Sequence, residues 1–288
     1  MTLDADRKRE FRKRLREIKS LPTLPPIAAK LNAMVEDEEV TAAQIGSVIE
    51  KDQVLTSKLL KMVNSSFFGF PQRIGTVSNA VVLLGFDVIK TLIVTSSIFE
   101  AMQESDIGLW EHSLGVATAS GILARRRAVK KPEEISTAGL IHDLGKVVIR
   151  AELPHEYRLL EAMASEQGIS LREAELEFLG VGHAEIGGML VKQWLLPERL
   201  IQSVSFHHAP ESSPDCPELA AIIHFSDILI RAVGFGSGGD PWVPPLDHRA
   251  WERVKMGRRE LREVLAELDD LLVELLDFTL EIRKISGV

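Results

Sequence analysis

Apolar residues recur every three or four positions along most of this 288-residue chain, a spacing typical of amphipathic helices. In the first half, the segment that follows Thr41 carries Ile45, Val48 and Ile49 on one face. No stretch alternates with a period of two for long enough to predict a strand. The pattern therefore predicts an all-α protein. In the second half, helices are predicted at 106–127, 132–144, 154–167, 170–179, 183–194, 197–208 and 217–233.

Local signals predict where several of these helices begin and end. Thr41 and Asp52 are predicted N-caps, because short polar side chains accept hydrogen bonds from the first turn. Gly145 follows His142-Asp143 and is expected to break the helix there. Residues 234–246 are dense in glycine and proline, which predicts a linker without helix. Beyond the linker, leucines spaced three or four apart predict an amphipathic helix over 258–284, which either packs back on the core or pairs two copies.

Composition and charge exclude several classes of protein. Apolar residues make up 45% and charged residues 26%, as in an ordinary globular chain. A net charge of −8 argues against general nucleic-acid binding. No uninterrupted apolar stretch reaches the roughly 20 residues of a membrane-spanning helix, and the first residues, which contain no apolar core segment, are not expected to act as a secretory signal. The single cysteine, Cys216, cannot form an internal disulfide, so we expect a cytoplasmic protein.

The histidines suggest metal chemistry. His142-Asp143 offers an imidazole and a carboxylate to one cation, and a carboxylate can also bridge two cations. His112 lies on a preceding apolar helix, and Asp227 lies in a strongly apolar later one, where an unpaired carboxylate would be costly. Together these four residues could complete the shell of one divalent transition metal. Imidazole and carboxylate ligands favour iron or manganese, with zinc, cobalt and nickel as alternatives.

The motifs also resemble a known family. The order His112, His142-Asp143, Asp227 resembles the HD phosphohydrolase superfamily, and the addition of His183 and of His207-His208 is similar to its two-metal HD-GYP branch. Three segments of the N-terminal half resemble the HDOD (HD-related output domain) family over about residues 20–230. They are LPTLPPIAAKL at 21–31, KLLKMVNSSFFG at 58–69 and IGTVSNAVVLLG at 74–85.

This resemblance implies an HD-domain-like helical bundle, preceded by an N-terminal helical subdomain and followed by a C-terminal amphipathic helix. The expected divisions are a basic helix at 1–20, the N-terminal half of the HDOD domain at 21–104, its metal-site half at 105–233, the linker at 234–246 and a helical extension at 247–288.

The resemblance also implies roles for individual residues. His112, His142, Asp143 and Asp227 would hold a first metal, and Asp143 would bridge to a second. The second would be held by His183, His207 and His208, and Lys146 would contact a substrate phosphate. Asp143 and Lys146 are thus the candidate catalytic residues.

Some alternatives stay open. His183 could equally serve as a helix N-terminal residue, one of His207 and His208 could lie outside the metal shell, and Lys146 could be an ordinary solvated lysine. His224, one turn before Asp227, is either a core histidine or a support for the ligands. His155 and His248 are expected on the surface.

Two departures from the HD-GYP pattern affect the functional prediction. No Gly-Tyr-Pro follows His207-His208, and Gly108 stands where some relatives carry a glutamate ligand. We therefore expect a bacterial-type signal-transduction protein, a regulatory output module with a mononuclear or dinuclear metal site. The alternative is an active phosphohydrolase or phosphodiesterase on a nucleotide. Expected partners are a signalling protein or a nucleotide ligand, with a homodimer through 258–284 as a further option and with no membrane or nucleic acid.

Overall fold

The structure, a computed structural model, describes residues 26–35, 39–65, 68, 70–101 and 107–286. The basic helix predicted at 1–20 lies outside these residues. Every regular element in the described part of the chain is helical, which confirms the all-α prediction. None of the described helices is both long enough and apolar enough to cross a membrane.

The helices divide between the two halves of the chain. Those of the first half are α1 (Pro26–Val35), α2 (Ala42–Ile49), α3 (Gln53–Val63), α4 (Val77–Leu84) and α5 (Phe86–Ala101). Those of the second half are α6 (Ile107–Arg126), α7 (Pro132–Ile141), α8 (Leu144–Glu152), α9 (Pro154–Gln167), α10 (Leu171–Phe178), α11 (His183–Gln193), α12 (Glu198–Phe206) and α13 (Pro217–Val233). The last two are α14 (His248–Val254) and α15 (Arg258–Ser286).

The predicted caps form in the first half. Thr41 accepts from the backbone of Gln44, whose side chain bonds back to Thr41 in a capping box, and Asp52 accepts from the amide of Leu55. Helix α2 packs on α4, and α3 packs on α5. The buried ammonium of Lys90 on α5 donates to the carbonyl of Leu195 at 3.1 Å, which ties the first half to the second.

Helix α6 is the centre of the second half, where it packs against α7, α13 and α15. The contact with α7 is close because Gly139 has no side chain. A Cβ there would lie 2.9 Å from the carbonyl oxygen of Val116 and 3.0 Å from the Cα of Ala117. On α6, the small residues Ala117 and Ser120 lie at this contact and leave room for the close approach.

The prediction that Gly145 breaks a helix running to 144 is wrong. Helix α7 ends at Ile141, His142 and Asp143 form a turn, and Gly145 lies inside the next helix, α8, which the sequence pattern did not predict. Gly145 instead allows α8 to touch the start of α11, since a Cβ at this position would lie 1.9 Å from the carbonyl oxygen of His183.

Helix α15 packs back along α6 and buries Val264, Leu268 and Leu275. Arg126 reaches Glu263 and Glu267 on this helix at 3.3 and 2.9 Å. The packing agrees with the first of the two arrangements predicted for 258–284. Pairing of two copies stays a prediction.

Candidate metal centre

The predicted ligands come from five separate parts of the fold and meet at one buried point. His112 lies in α6, His142 and Asp143 form the turn between α7 and α8, and His183 begins α11. His207 and His208 follow α12, and Asp227 lies in α13. All are buried except His208, which is partly exposed. The structure thus brings all the predicted ligands together, although their roles stay predictions.

The ligand atoms form two groups. In the first lobe, made by His112, His142 and Asp227, one atom of each residue lies within 4.8 Å of the others. His112 Nε2 is 3.1 Å from Asp227 Oδ1. In the second lobe, made by His183, His207 and His208, the ligand atoms again lie within 4.8 Å of one another.

Asp143 lies between the two lobes and directs one oxygen towards each. Its Oδ2 is 3.3 Å from His142 Nε2 and 3.6 Å from His112 Nε2, in the first lobe. Its Oδ1 is 3.2 Å from His183 Nε2 and 3.9 Å from His207 Nε2, in the second. A carboxylate in this position can join two cations.

Backbone carbonyls fix the orientation of two of the imidazoles. His142 Nδ1 lies 2.7 Å from the carbonyl oxygen of Gly139, and His207 Nδ1 lies 2.7 Å from that of Val204. Because a carbonyl can only accept, each Nδ1 carries the proton, and each Nε2 is left with a free lone pair directed at the centre.

Several buried polar atoms at the centre have no hydrogen-bond partner among the described residues. They are His112 Nε2, His142 Nε2, His207 Nε2, Asp143 Oδ1 and Asp227 Oδ1. Buried polar groups without partners are costly and rare in native proteins. A divalent cation in each lobe would satisfy these atoms together, so the residues present fit a metal.

Glu175 on α10 is a functional residue that the sequence analysis missed. Its fully buried Oε2 accepts from both the backbone amide and Nδ1 of His183, each at 2.7 Å. The carboxylate therefore orients His183 Nε2 towards the second lobe, as acidic partners of metal-binding histidines do. A signal existed, because Glu175 follows Leu171 by four residues and so lies on the buried face of its helix.

Lys146 is buried and bonded on two sides. Its ammonium donates to Asp143 Oδ2 at 2.7 Å and to the carbonyl oxygen of Gly238 at 2.8 Å. The second bond reaches into the predicted linker, which has no helix, as its composition predicts, but packs over the centre. The Ser237 amide donates to the Gly108 carbonyl at 2.7 Å, and Asp240 pairs with Arg231 and accepts from the Leu171 amide.

The remaining histidines fall outside the two lobes. His224 is buried, with Nδ1 donating to the His207 carbonyl at 2.9 Å and Nε2 accepting from the Asp247 amide at 3.1 Å. It thus supports a predicted ligand, one of the two roles left open above. His155 and His248 are exposed, as predicted.

Burial and neighbouring charges shift the pKa values at the centre. Burial lowers the pKa of His112, and it lowers that of His207 strongly with help from His142 and His183. Burial also tends to lower the pKa of His183, but the Glu175 carboxylate outweighs it and raises the value. For Asp143, burial alone would raise the pKa, yet the neighbouring His142 imidazole and Lys146 ammonium hold it well below its usual range.

A cavity of about 330 Å³ opens beside the second lobe. We call it the side cavity. Its lining includes Lys146, Arg172, His183, His208, Arg231 and Trp242.

The fold and this buried centre define an all-helical protein of the HD type, with histidine and aspartate side chains gathered from several helices. The HDOD domain family profile matches residues 21–210. The chain belongs to the HDOD family.

Three proteins illustrate the likeness. An uncharacterized protein of Treponema pallidum (strain Nichols) is 30% identical over 225 residues, which are 74% of this chain and 43% of that protein. The chain thus spans less than half of that relative's length. Among solved structures, an HDOD domain protein of unknown function from Geobacter sulfurreducens is 26% identical, with a TM-score of 0.71 over 97% of this chain and 98% of that one. A candidate phosphohydrolase from Shewanella amazonensis SB2B is 25% identical, with a TM-score of 0.63 over 96% and 94% of the two chains.

Proposed function

We propose that this chain is a signal-transduction output module of the cytoplasm, in which a two-metal HD-type centre acts as a sensing element. His112, His142 and Asp227 would hold one cation, and His183, His207 and His208 the other, with Asp143 shared between them. Iron or manganese suits these imidazole and carboxylate ligands best. When bound, the pair of cations supplies Lewis-acid charge that can also activate water.

One observation carries the sensing role: Lys146 joins the shared carboxylate to the segment that covers the centre. Its ammonium donates to both Asp143 and the Gly238 carbonyl. Cations that bind on either side of Asp143 would repel this ammonium at short range, where Coulomb interactions are strong. Metal loading would therefore weaken the link between Asp143 and the 234–246 segment, which leads directly to α14 and α15.

A second function, hydrolysis of a phosphoester or nucleotide, is favoured by the side cavity. It gives access from solvent to His208 and Lys146 beside the second lobe. The likeness to a candidate phosphohydrolase agrees with this alternative. In that case Lys146 would have to direct a hydrogen bond to the substrate phosphate, beside the two that it already makes.

Metal analysis of the purified protein tests the centre. We expect one or two transition metals per chain, and a strong loss of metal in Asp143→Asn. His155→Ala is the matched control, because it removes an exposed histidine outside the centre and should keep the full metal content. A wild-type protein that stays metal-free after incubation with iron or manganese would overturn both functions.

Hydrogen exchange tests the sensing role. We expect amides at 236–240 to exchange faster in the metal-loaded protein than in the chelated one, while α2 on the first half does not change. In Lys146→Met this difference should disappear. Equal or slower exchange on loading would contradict the proposal. A screen of phosphodiester and nucleotide substrates, with Asp143→Asn as the blank, decides whether hydrolysis also occurs.

A further inference from the structure

The lining of the side cavity includes an arginine that forms no ion pair in the described part of the chain. Arg172, the second residue of α10, is half-buried in the cavity lining, and its guanidinium makes no hydrogen bond or ion pair to any residue that the structure describes. Arg172 lines the same cavity as His183 and His208 of the second lobe, so its guanidinium is available to a ligand bound there.

The other charged groups of the cavity are already engaged. Glu173 accepts from the amide and hydroxyl of Ser170 in the capping box of α10. Asp240 pairs with Arg231 and accepts from the Leu171 and Trp242 amides. What remains for a ligand is the Arg172 guanidinium, whose planar donors match phosphate and carboxylate oxygens.

Another part of the cavity lining is apolar. The indole of Trp242 is 48% exposed, although its backbone is held at both ends. Its amide donates to Asp240 Oδ1 at 2.9 Å, and its carbonyl accepts from Arg231 Nε at 2.8 Å. Val243, Pro244 and Pro245 continue this part of the lining. A half-exposed indole on an anchored backbone is a surface on which a planar ring can stack.

We propose that the side cavity binds a small phosphomonoester carrying a planar ring, of the size of a nucleoside monophosphate, with Arg172 on the phosphate and Trp242 on the ring. The cavity's volume of about 330 Å³ lies at the lower end of the range for small-molecule sites. The inference deepens the proposed function, because the phosphate end would lie towards the second lobe and Lys146.

Calorimetric titration of the manganese-loaded full chain tests the proposal with nucleoside monophosphates (AMP, GMP, CMP and UMP), ribose 5-phosphate and inorganic phosphate. At least one nucleoside monophosphate should bind more tightly than ribose 5-phosphate and inorganic phosphate, which both lack a planar base. Arg172→Gln should weaken it by at least about tenfold, as loss of a charge-assisted hydrogen bond does. Trp242→Leu should weaken the nucleoside monophosphate but leave ribose 5-phosphate unchanged.

Arg158→Gln is the matched control, because Arg158 is an exposed arginine on the neighbouring helix α9 and does not line the cavity. Wild-type affinity in Arg172→Gln, equal affinity for probes with and without a planar base, or no binding by any nucleoside monophosphate would each overturn the inference. Metal content, measured on the same samples, separates this failure from that of the proposed function: bound metal without Arg172-dependent binding refutes only the cavity ligand.

Discussion

Replacing Gly145 with alanine tests whether this glycine serves close packing. In an ordinary helix interior the change would stabilise the protein by about 1 kcal/mol, because alanine is the better helix former. Here the new Cβ would lie 1.9 Å from the carbonyl oxygen of His183 and 2.7 Å from its carbonyl carbon. These are backbone atoms, so no side chain can rotate away, and α8 and α11 would have to separate.

Overpacking of this kind typically costs about 1–3 kcal/mol. With both partners on the backbone we take the upper end, and subtraction of the helix-propensity gain leaves a net loss of about 2 kcal/mol. Urea denaturation in the presence of a chelator measures the free energy of unfolding without the contribution of metal binding. Gly75→Ala is the control, because a Cβ there meets no atom within 4 Å.

The same displacement should reach the candidate metal centre. His183 begins α11, and a shift of this helix moves its Nε2 away from Asp143 Oδ1, now 3.2 Å distant. Gly145→Ala should therefore also bind metal more weakly than the wild type. A variant that is as stable as the wild type, or more so, would refute the close-packing argument, and unchanged metal affinity would refute its extension to the centre.

Three further predictions concern the centre and its supports. Glu175→Gln should lower metal affinity by about 10–100-fold in a chelator competition, because a glutamine side chain holds the His183 imidazole less firmly than a carboxylate does. Glu177→Gln, at an exposed position of the same helix, should have no effect. The chelated protein should melt at a lower temperature at pH 5 than at pH 7.5. Because the pKa values of His112 and His207 are lowered in the folded state, protonation of these residues below the ordinary pKa of 6.5 favours unfolding. The raised pKa of His183 has the opposite effect on stability, but it is one group against two. An unchanged or higher melting temperature at pH 5 would contradict this prediction. Leu268→Ala, at a buried position of α15, should lower the free energy of unfolding by about 2–5 kcal/mol in urea denaturation. Leu276→Ala should lower it far less, because Leu276 is 45% exposed. Equal losses would mean that the outer face of α15 is also covered.

The sequence could predict the helices and the ligand candidates because both have local signatures. Apolar spacing predicts helix directly, and the caps at Thr41 and Asp52 follow from single residues. Histidines and an aspartate on apolar helices stand out because burial of such groups requires a partner. These arguments need no knowledge of how the helices are arranged.

The features that the sequence could not predict depend on contacts between distant segments. The local pattern predicts a helix break at Gly145, because the packing partner of this glycine, the His183 carbonyl, is 38 positions away and leaves no mark on that pattern. The acceptor for Lys146 is a backbone carbonyl at Gly238, and any residue can supply a carbonyl. Glycine and proline in 234–246 predict the absence of helix equally well for a free linker and for a segment that packs over a site.

Lys146 is the residue at which the two proposed functions make opposite demands. A hydrolase needs the ammonium to be available to a substrate phosphate, whereas a sensor needs it bonded to both Asp143 and Gly238, as it is found. Lys146→Met removes the charge in either case, but the consequences differ. Loss of turnover with an unchanged exchange response at 236–240 would favour hydrolysis. Loss of the metal-dependent exchange response in a protein that shows no turnover would favour the output module, because only the link between the shared carboxylate and the covering segment has then been broken.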